Sequence, residues 1–400
     1  MTSLRLSSRE PCHVFPWSEG FGDLSWIRIS FQRIISKVLF NRSSTLLGYL
    51  LPCTVIVGGF FGDEGKGKIA AYLAMKDEPD ICVRGGNGPN AGHTVIHGGV
   101  QYSLRLIPSG FVNPSTRLLI GPGVPVDPTV LLDELRKTDS ERRIEVDNQC
   151  AIVEPRHKEQ ESRSDHLSKK VGSTKSGVGA CNAERALRMA KLAQQIPSLK
   201  PYVGDTVGEI QKALSENKKI MIEGTQGTFL SLYHGTYPYV TSKDTTASAA
   251  CADVGVGPTQ VDDVIVIFKA YVTRVGEGPL EGQLDRDEVA RRGWTEFGTV
   301  TGRERRAAPF DFKLAKRAVQ LNGATQIALT KLDVLFPSAK GARHIEDLDK
   351  TAKAFISEIE KKTGIPVMLI GTGPKEEDLI DLRTFARSPR VRAAPIARQN

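Results

Sequence analysis

From residue 54 to residue 370 the chain repeats one pattern: a short run of β-branched and aliphatic residues, a glycine-rich or polar segment, then a stretch with helical periodicity. Parallel strands need long crossovers that pack back over the sheet. The alternation therefore restricts the fold to an α/β architecture, P-loop-like, with a mostly parallel central sheet and helices on both faces. The clearest strands are predicted at 54–57, 219–222, 264–268, 326–329 and 367–370. GGFFGDEGKGK, EGTQGT, KAYVTRVGEGP, TKLD and GTGP follow them in that order. In open parallel sheets ligands bind beyond the carboxyl ends of the strands, so these five glycine-rich or polar loops are predicted to meet at one crevice. No internal repeat or linker interrupts residues 53–385, which read as one domain.

The net charge of +8 would suggest nucleic acid if it were clustered within the domain, but it sits at the ends. Residues 1–52 carry six Lys/Arg against Glu10, Glu19 and Asp23, and residues 383–400 carry five arginines and no acid. The part between is neutral, and no nucleic-acid partner is expected. Residues 1–52 read as a basic extension outside the chemistry. There Ile27, Phe31, Ile34 and Val38 share a helical face beside Arg28, Arg33 and Lys37, without a secretory cleavage signal. Residues 386–400 read as a basic disordered tail. Six scattered cysteines with no C-x-x-C pair suit a reduced, cytoplasmic protein, and no apolar run is long enough to span a bilayer.

Gly62-Asp-Glu-Gly-Lys-Gly67-Lys68 has the spacing G-x-x-x-x-G-K between a strand and a helix, where backbone N–H groups and the helix dipole favour phosphate. The site is read as one for a nucleotide. Ile69 stands where such loops carry the Ser or Thr that holds magnesium, so another oxygen must serve, and Asp63 is the obvious candidate. A carboxylate beside a transferring phosphoryl group also suits proton abstraction. A second glycine-rich loop, Arg84 to Thr94, presents His93, a residue suited to proton donation or to stabilising a departing phosphate. His97, His157 and His166 are assigned no role.

Taken together, GDEGKGK, PNAGHT, EGTQGT, HGTYPYVTS, TRVGEGP, GTVTGRERR and TKLDVL resemble the adenylosuccinate synthetase family, in its compact archaeal-like form, across about residues 53–385. The resemblance implies a GTP-dependent ligase that phosphorylates the 6-oxygen of IMP and then displaces that phosphate with the amine of L-aspartate. By the family pattern Asp63 is the general base and a ligand of one Mg2+ per subunit, with the main-chain carbonyl of Gly92 as another. His93 stabilises the phosphoryl oxygens, and Lys66 neutralises charge on the transferring group. GTP falls to Gly62, Glu64, Gly65, Gly67 and Lys68, to Lys331 and Asp333 of the guanine-reading TKLD element, and to Gly371, Thr372 and Gly373. IMP falls to Asp63, Asn90, Thr174, Gln226, Thr241 and Arg303, and to Arg188, donated across the interface of a homodimer.

Aspartate brings two carboxylates, which guanidinium groups bind in a bidentate way. The family pattern assigns Thr299, Thr301, Arg303 and Arg305 to it, with Arg305 also reaching toward GTP. Cys181, Lys175-Ser176 and Glu304 depart from the usual family residues. Two alternatives share the nucleotide motifs. One is the phage-type relative that makes 2-aminoadenylosuccinate from dGMP, which lacks the catalytic aspartate present here. The other is a GTP-binding switch without catalysis, which has no use for an aspartate-binding arginine loop.

Overall fold

The computed structural model describes residues 53–298 and 302–383. The expectations for residues 1–52 and 386–400 lie outside them. The strands are β1 (Cys53–Gly58), β2 (Ile81–Arg84), β3 (His93–His97), β4 (Val100–Leu104), β5 (Arg117–Ile120), β6 (Ile144–Asp147) and β7 (Val203–Gly204), followed by β8 (Ile220–Glu223), β9 (Asp263–Lys269), β10 (Val272–Arg274), β11 (Arg306–Ala308), β12 (Gln326–Thr330), β13 (Val367–Gly371) and β14 (Leu379–Asp381). Ten of them form one sheet in the order β14-β13-β12-β9-β1-β8-β2-β5-β6-β7, and β3-β4 and β10-β11 form two antiparallel ribbons. Every pairing in the large sheet is parallel except that of the edge strand β14.

Alternation along each central strand sorts side chains onto two faces. Val55 and Val57 of β1, Val266 and Phe268 of β9, and Ile327 and Leu329 of β12 join one core, closed by the helices Thr206–Ser215, Ala247–Val254, Phe312–Asn322 and Lys350–Thr363. Ile56, Ile265, Ile267 and Ala328 join the other, closed by Lys66–Asp77 and Pro128–Thr138. Each buried Val, Ile, Leu or Phe contributes about 1.5–3 kcal/mol by leaving water. Helix starts are marked by local chemistry. Asp127 accepts from the amide of Thr129, with Pro128 in the first turn, and Asp311 accepts from Lys313 and Leu314. Directly after β1, the ring of Phe268 lies 2.1 Å from where a Cβ of Gly59 would stand, so a larger residue there would displace the core.

The five strands expected from the sequence are β1, β8, β9, β12 and β13, and because they run parallel their following loops share one edge of the sheet. The chain moves outward from β1 through β2, β5, β6 and β7, then returns to place β8 against β1 on one side and β9 on the other. This reversal puts the crevice at the end of β1. The hairpin β3-β4 lies over the helix Lys66–Asp77, where a Cβ on Gly67 would come within 2.6 Å of the carbonyl oxygen of Thr94.

Candidate functional site

Beyond β1 the chain turns through Gly62, Asp63 and Gly65, all with positive φ (89°, 61° and 86°). The turn folds the Glu64 carboxylate back into its own loop, where it accepts from the amides of Phe60 (3.0 Å) and Gly62 (2.8 Å) and from the Lys66 ammonium (3.1 Å). Lys66 also donates to the main-chain oxygen of Gln226. Part of the amide cradle is thus filled by an internal carboxylate. The helix beginning at Lys66 has no side-chain cap, so its first amides remain available to an anion. Ile69 is fully buried in the second core, so the usual magnesium-holding hydroxyl is replaced by a packing residue. Lys68 donates to the carbonyls of Gly373 (2.6 Å) and Asp378 (2.7 Å), clamping this helix to the loop after β13. Burial pushes its ammonium down to about 8, against the pull of Asp378 and Asp333.

Asp63 pairs with Arg305 at 3.0 Å and keeps about a quarter of its side chain exposed. Burial raises its carboxyl above the usual range, opposed by Arg305, Lys269 and Lys66. Arg305 also bonds Glu296, which accepts from Lys269 (2.8 Å) and from the Tyr271 hydroxyl (2.5 Å) and lies 3.7 Å from Lys331. Burial alone would raise the Glu296 carboxyl; Lys269, Lys331 and Arg305 bring it down to about 2. Sequence reasoning missed Lys269, Tyr271 and Glu296. The charged pair inside otherwise apolar surroundings was their only signal, and it needs the fold to be seen.

His93 begins β3. Its Nδ1 meets the Ser109 hydroxyl (2.8 Å) and Glu223 (2.9 Å), whose carboxylate also takes the Ser109 amide (2.7 Å) and the Arg84 guanidinium (3.0 Å). Burial would raise Glu223, but His93 and Arg84 hold it at about 2. With Nδ1 engaged, Nε2 is the free edge of the ring: it is buried and has no hydrogen-bond partner among the described residues. Arg84 further ties down the glycine-rich loop by donating to the Ala91 carbonyl at 3.2 Å.

A cavity of about 240 Å³ opens beside Asp63, and Lys66, Asn90, Gly92, Thr174, Gln226, Thr241 and Arg303 line it together. Asn90 donates to the Thr241 hydroxyl at 3.2 Å, Thr174 bonds Ser176, and Arg303 reaches the carbonyl of Gly172 at 2.8 Å. Cys181 is fully buried against Ala151, Val153 and Val178, so the departure there is accommodated as a small core residue. Glu304 pairs with the exposed Arg286.

Among the residues expected to meet GTP, Lys331, in the left-handed conformation, precedes a short helix, and Asp333 keeps one buried carboxylate oxygen without a partner among the described residues. Gly371 ends β13, and the Thr372 hydroxyl is committed to the Ala342 carbonyl at 2.9 Å. Arg188 is not part of the cavity wall. It stands exposed after the helix Val178–Ala186, with φ of 64°, between Leu187 and Met189, each 63% exposed. Thr299 and Thr301 lie outside the described residues.

Glu154, His157 and Glu184 come close enough to suggest a metal. Yet His157 Nδ1 accepts from the Glu154 amide and Nε2 meets Glu184, while Arg156 and Lys191 neutralise the two acids. The imidazole has no lone pair left for an ion, and His157 is a satisfied structural histidine. Five described cysteines are buried, and none of them forms a disulfide.

A family-level comparison matches adenylosuccinate synthetase over residues 55–196 and 188–340. The chain is 53% identical to the adenylosuccinate synthetase of Thermococcus onnurineus over 83% of its own length and 99% of that protein. It is 52% identical to that of Methanocaldococcus jannaschii, over 84% and 98%. Among solved structures, fully ligated adenylosuccinate synthetase from Plasmodium falciparum superposes with a TM-score of 0.77 at 26% identity, covering 82% of this chain and 99% of that one. Succinoaminodeoxyadenylate synthetase of cyanophage S-2L, bound to dGMP and dATP, gives 0.70 at 26% identity, covering 84% and 96%.

Proposed function

This chain belongs to the adenylosuccinate synthetase family, and we propose that its working site is the crevice built around Asp63 and His93. It joins L-aspartate to IMP at the expense of GTP, giving adenylosuccinate, GDP and phosphate by way of 6-phosphoryl-IMP. One observation carries the assignment of the site. A single cavity brings Asp63, Asn90, Thr174, Gln226, Thr241 and Arg303 together from six separate segments, the phosphate loop among them.

In this reading Asp63 takes the N1 proton of IMP, so that the 6-oxygen becomes the nucleophile. A carboxyl raised by burial is a better base than an exposed one, which supports the role. Lys66, held by Glu64 and the Gln226 carbonyl, supplies fixed positive charge where the phosphoryl group passes. His93 acts through Nε2, its ring nitrogen without a partner among the described residues, while Glu223 and Ser109 fix the ring through Nδ1; it follows the cavity-lining Gly92 and is not itself part of the cavity wall. Arg303 and Arg305, with Thr299 and Thr301, receive the carboxylates of aspartate. For that, Arg305 exchanges its pairing with Asp63 for the incoming ligand. Lys331 covers guanine and the open oxygen of Asp333 accepts from its N1–H and amino group, a donor pair that adenine lacks.

Asp63 and the Gly92 carbonyl are hard oxygen donors on one cavity wall, and they fit Mg2+, one per subunit. When bound, the ion offsets negative charge on the phosphates. The exposed Arg188, flanked by two exposed apolar side chains, supports a homodimer in which it reaches the partner's IMP phosphate. No helix among the described residues is long and apolar enough to cross a membrane, in keeping with a cytoplasmic enzyme.

The test is adenylosuccinate formation from IMP, GTP, Mg2+ and aspartate, with ATP in place of GTP and Asp63→Asn as controls. Product that requires GTP and vanishes in the variant is expected; GTP binding without product would overturn the reading. For the dimer, Asp63→Asn and Arg188→Leu protomers, each inactive alone, should recover about a quarter of wild-type activity when mixed. Random pairing gives half mixed dimers, each with one intact site.

A further inference from the structure

Asn87, to which no role has been attached so far, is fully buried one layer behind the cavity. Its main-chain amide donates to the Thr225 hydroxyl at 2.8 Å, which fixes the residue to the loop after β8. Its side-chain nitrogen donates in two directions, to Gln226 Oε1 at 3.1 Å and to Thr241 Oγ1 at 3.0 Å. Both recipients line the cavity, and both were assigned to IMP.

The consequence follows from donor and acceptor counting. The Gln226 amide has its oxygen turned back toward Asn87, so its two N–H groups form the end presented to the cavity. The Gln226 main chain is fixed as well, by Lys66 on its carbonyl, so the side chain starts from a set position and Asn87 is the partner that orients its amide. The Thr241 oxygen already accepts from Asn87 and from Asn90, so its own hydrogen is left to point at a ligand. One buried amide therefore turns two neighbours into hydrogen-bond donors at the cavity wall.

We infer that Asn87 is a specificity-determining positioning residue: by accommodating the oxygens of Gln226 and Thr241, it makes the cavity select a 6-oxopurine nucleotide over its 6-amino counterpart. This rests on the assignment of the cavity to IMP. A 6-oxo group accepts from Gln226, whereas a 6-amino group brings a second donor against the first and leaves buried N–H groups unpaired.

The experiment is calorimetric titration of the full chain with IMP and with AMP, for wild type, Asn87→Ala and Asn87→Asp, together with the KM for GTP and aspartate. Wild type should bind IMP more tightly than AMP; failure of wild type to bind IMP would refute the cavity assignment itself rather than the role of Asn87. In Asn87→Ala the Gln226 amide is free to turn, and the IMP-to-AMP affinity ratio should fall about tenfold, the loss of one well-made hydrogen bond, with the GTP KM unchanged. Asn87→Asp offers only acceptors, which draws the Gln226 N–H groups inward and turns its oxygen outward. The ratio should fall further and AMP should bind more tightly than it does to wild type. A role confined to packing would weaken both nucleotides alike and leave the ratio unmoved, and that result in either variant overturns the inference. If Asn87→Asp does not fold, the ratio in Asn87→Ala decides.

Discussion

Glu296→Gln removes one negative charge from a buried cluster and keeps the shape of the side chain. In the folded protein that carboxylate faces Lys269, 1% exposed, and Arg305, 8% exposed, with Lys331 at 3.7 Å. Removing one partner of a buried ion pair leaves the other charge uncompensated and costs about 3–5 kcal/mol. Asp63 remains near Arg305 and offsets part of that, so about 3 kcal/mol is expected. A folded unit of roughly 330 residues has an unfolding entropy near 0.7 kcal/mol/K, so the midpoint should drop by about 4 °C. Differential scanning calorimetry at neutral pH measures this. The double variant Lys269→Met with Glu296→Leu should regain most of the loss, because an apolar pair of similar volume does not need charge compensation. A drop below about 1 °C, or a double variant no better than the single one, would refute the electrostatic reasoning. The cluster also has a pH signature. Glu296 is held at about 2 against an ordinary 4.5, so its contribution is complete above pH 4.5 and is lost as pH falls from there toward 2. Glu296→Gln should therefore lose less stability than wild type across that acid window.

Other consequences are equally direct. Glu223→Gln removes the charge that holds His93 Nδ1, and kcat should fall at least tenfold while the GTP KM stays within about twofold; an unchanged kcat would remove Glu223 from the machinery. Lys68 loses its proton near pH 8, so kcat/KM for GTP should decline above that pH, and Lys68→Arg should abolish the decline; a wild-type profile that stays flat would show that the ammonium does not serve GTP. Gly67→Ala places a methyl 2.6 Å from the Thr94 carbonyl, which must shift β3 and with it His93. Turnover should fall tenfold or more with GTP binding retained, and unaltered kinetics would show that the hairpin yields without moving the histidine.

Much of the architecture was legible because it rests on local periodicity. The five strands nearest the crevice carry β-branched runs, and the strand–glycine loop–helix order around Gly62 to Lys68 announces a phosphate site. β5 and β6, four residues each like β8, and the two-residue β7 did not stand out from the sequence, and they exist because the rest of the sheet offers them an edge. Asp63, His93, Gln226 and Arg305 were recognisable from the motifs in which they stand. The supporting residues were not. Asn87 reads as one polar residue in a glycine-rich loop, Glu223 as the end of a strand and Glu296 as a surface acid near a turn. Each acts on partners from other segments: Asn87 on residues 139 and 154 positions away, and Glu223 on a serine 114 positions away.

What the amino-acid order determined by itself was the alternation of strands and helices, the placement of glycines where the backbone must turn, and the motifs to whose residues we assign the chemistry. Tertiary structure decided which way those residues face and in what charge state they wait: Asp63 raised by burial, Glu223 and Glu296 depressed by neighbouring cations, Gln226 turned by Asn87. The physical reason is range. Periodicity and turn chemistry act over a few residues along the chain, whereas desolvation and ion pairing depend on atoms within a few ångströms in space, which only the folded sheet brings together.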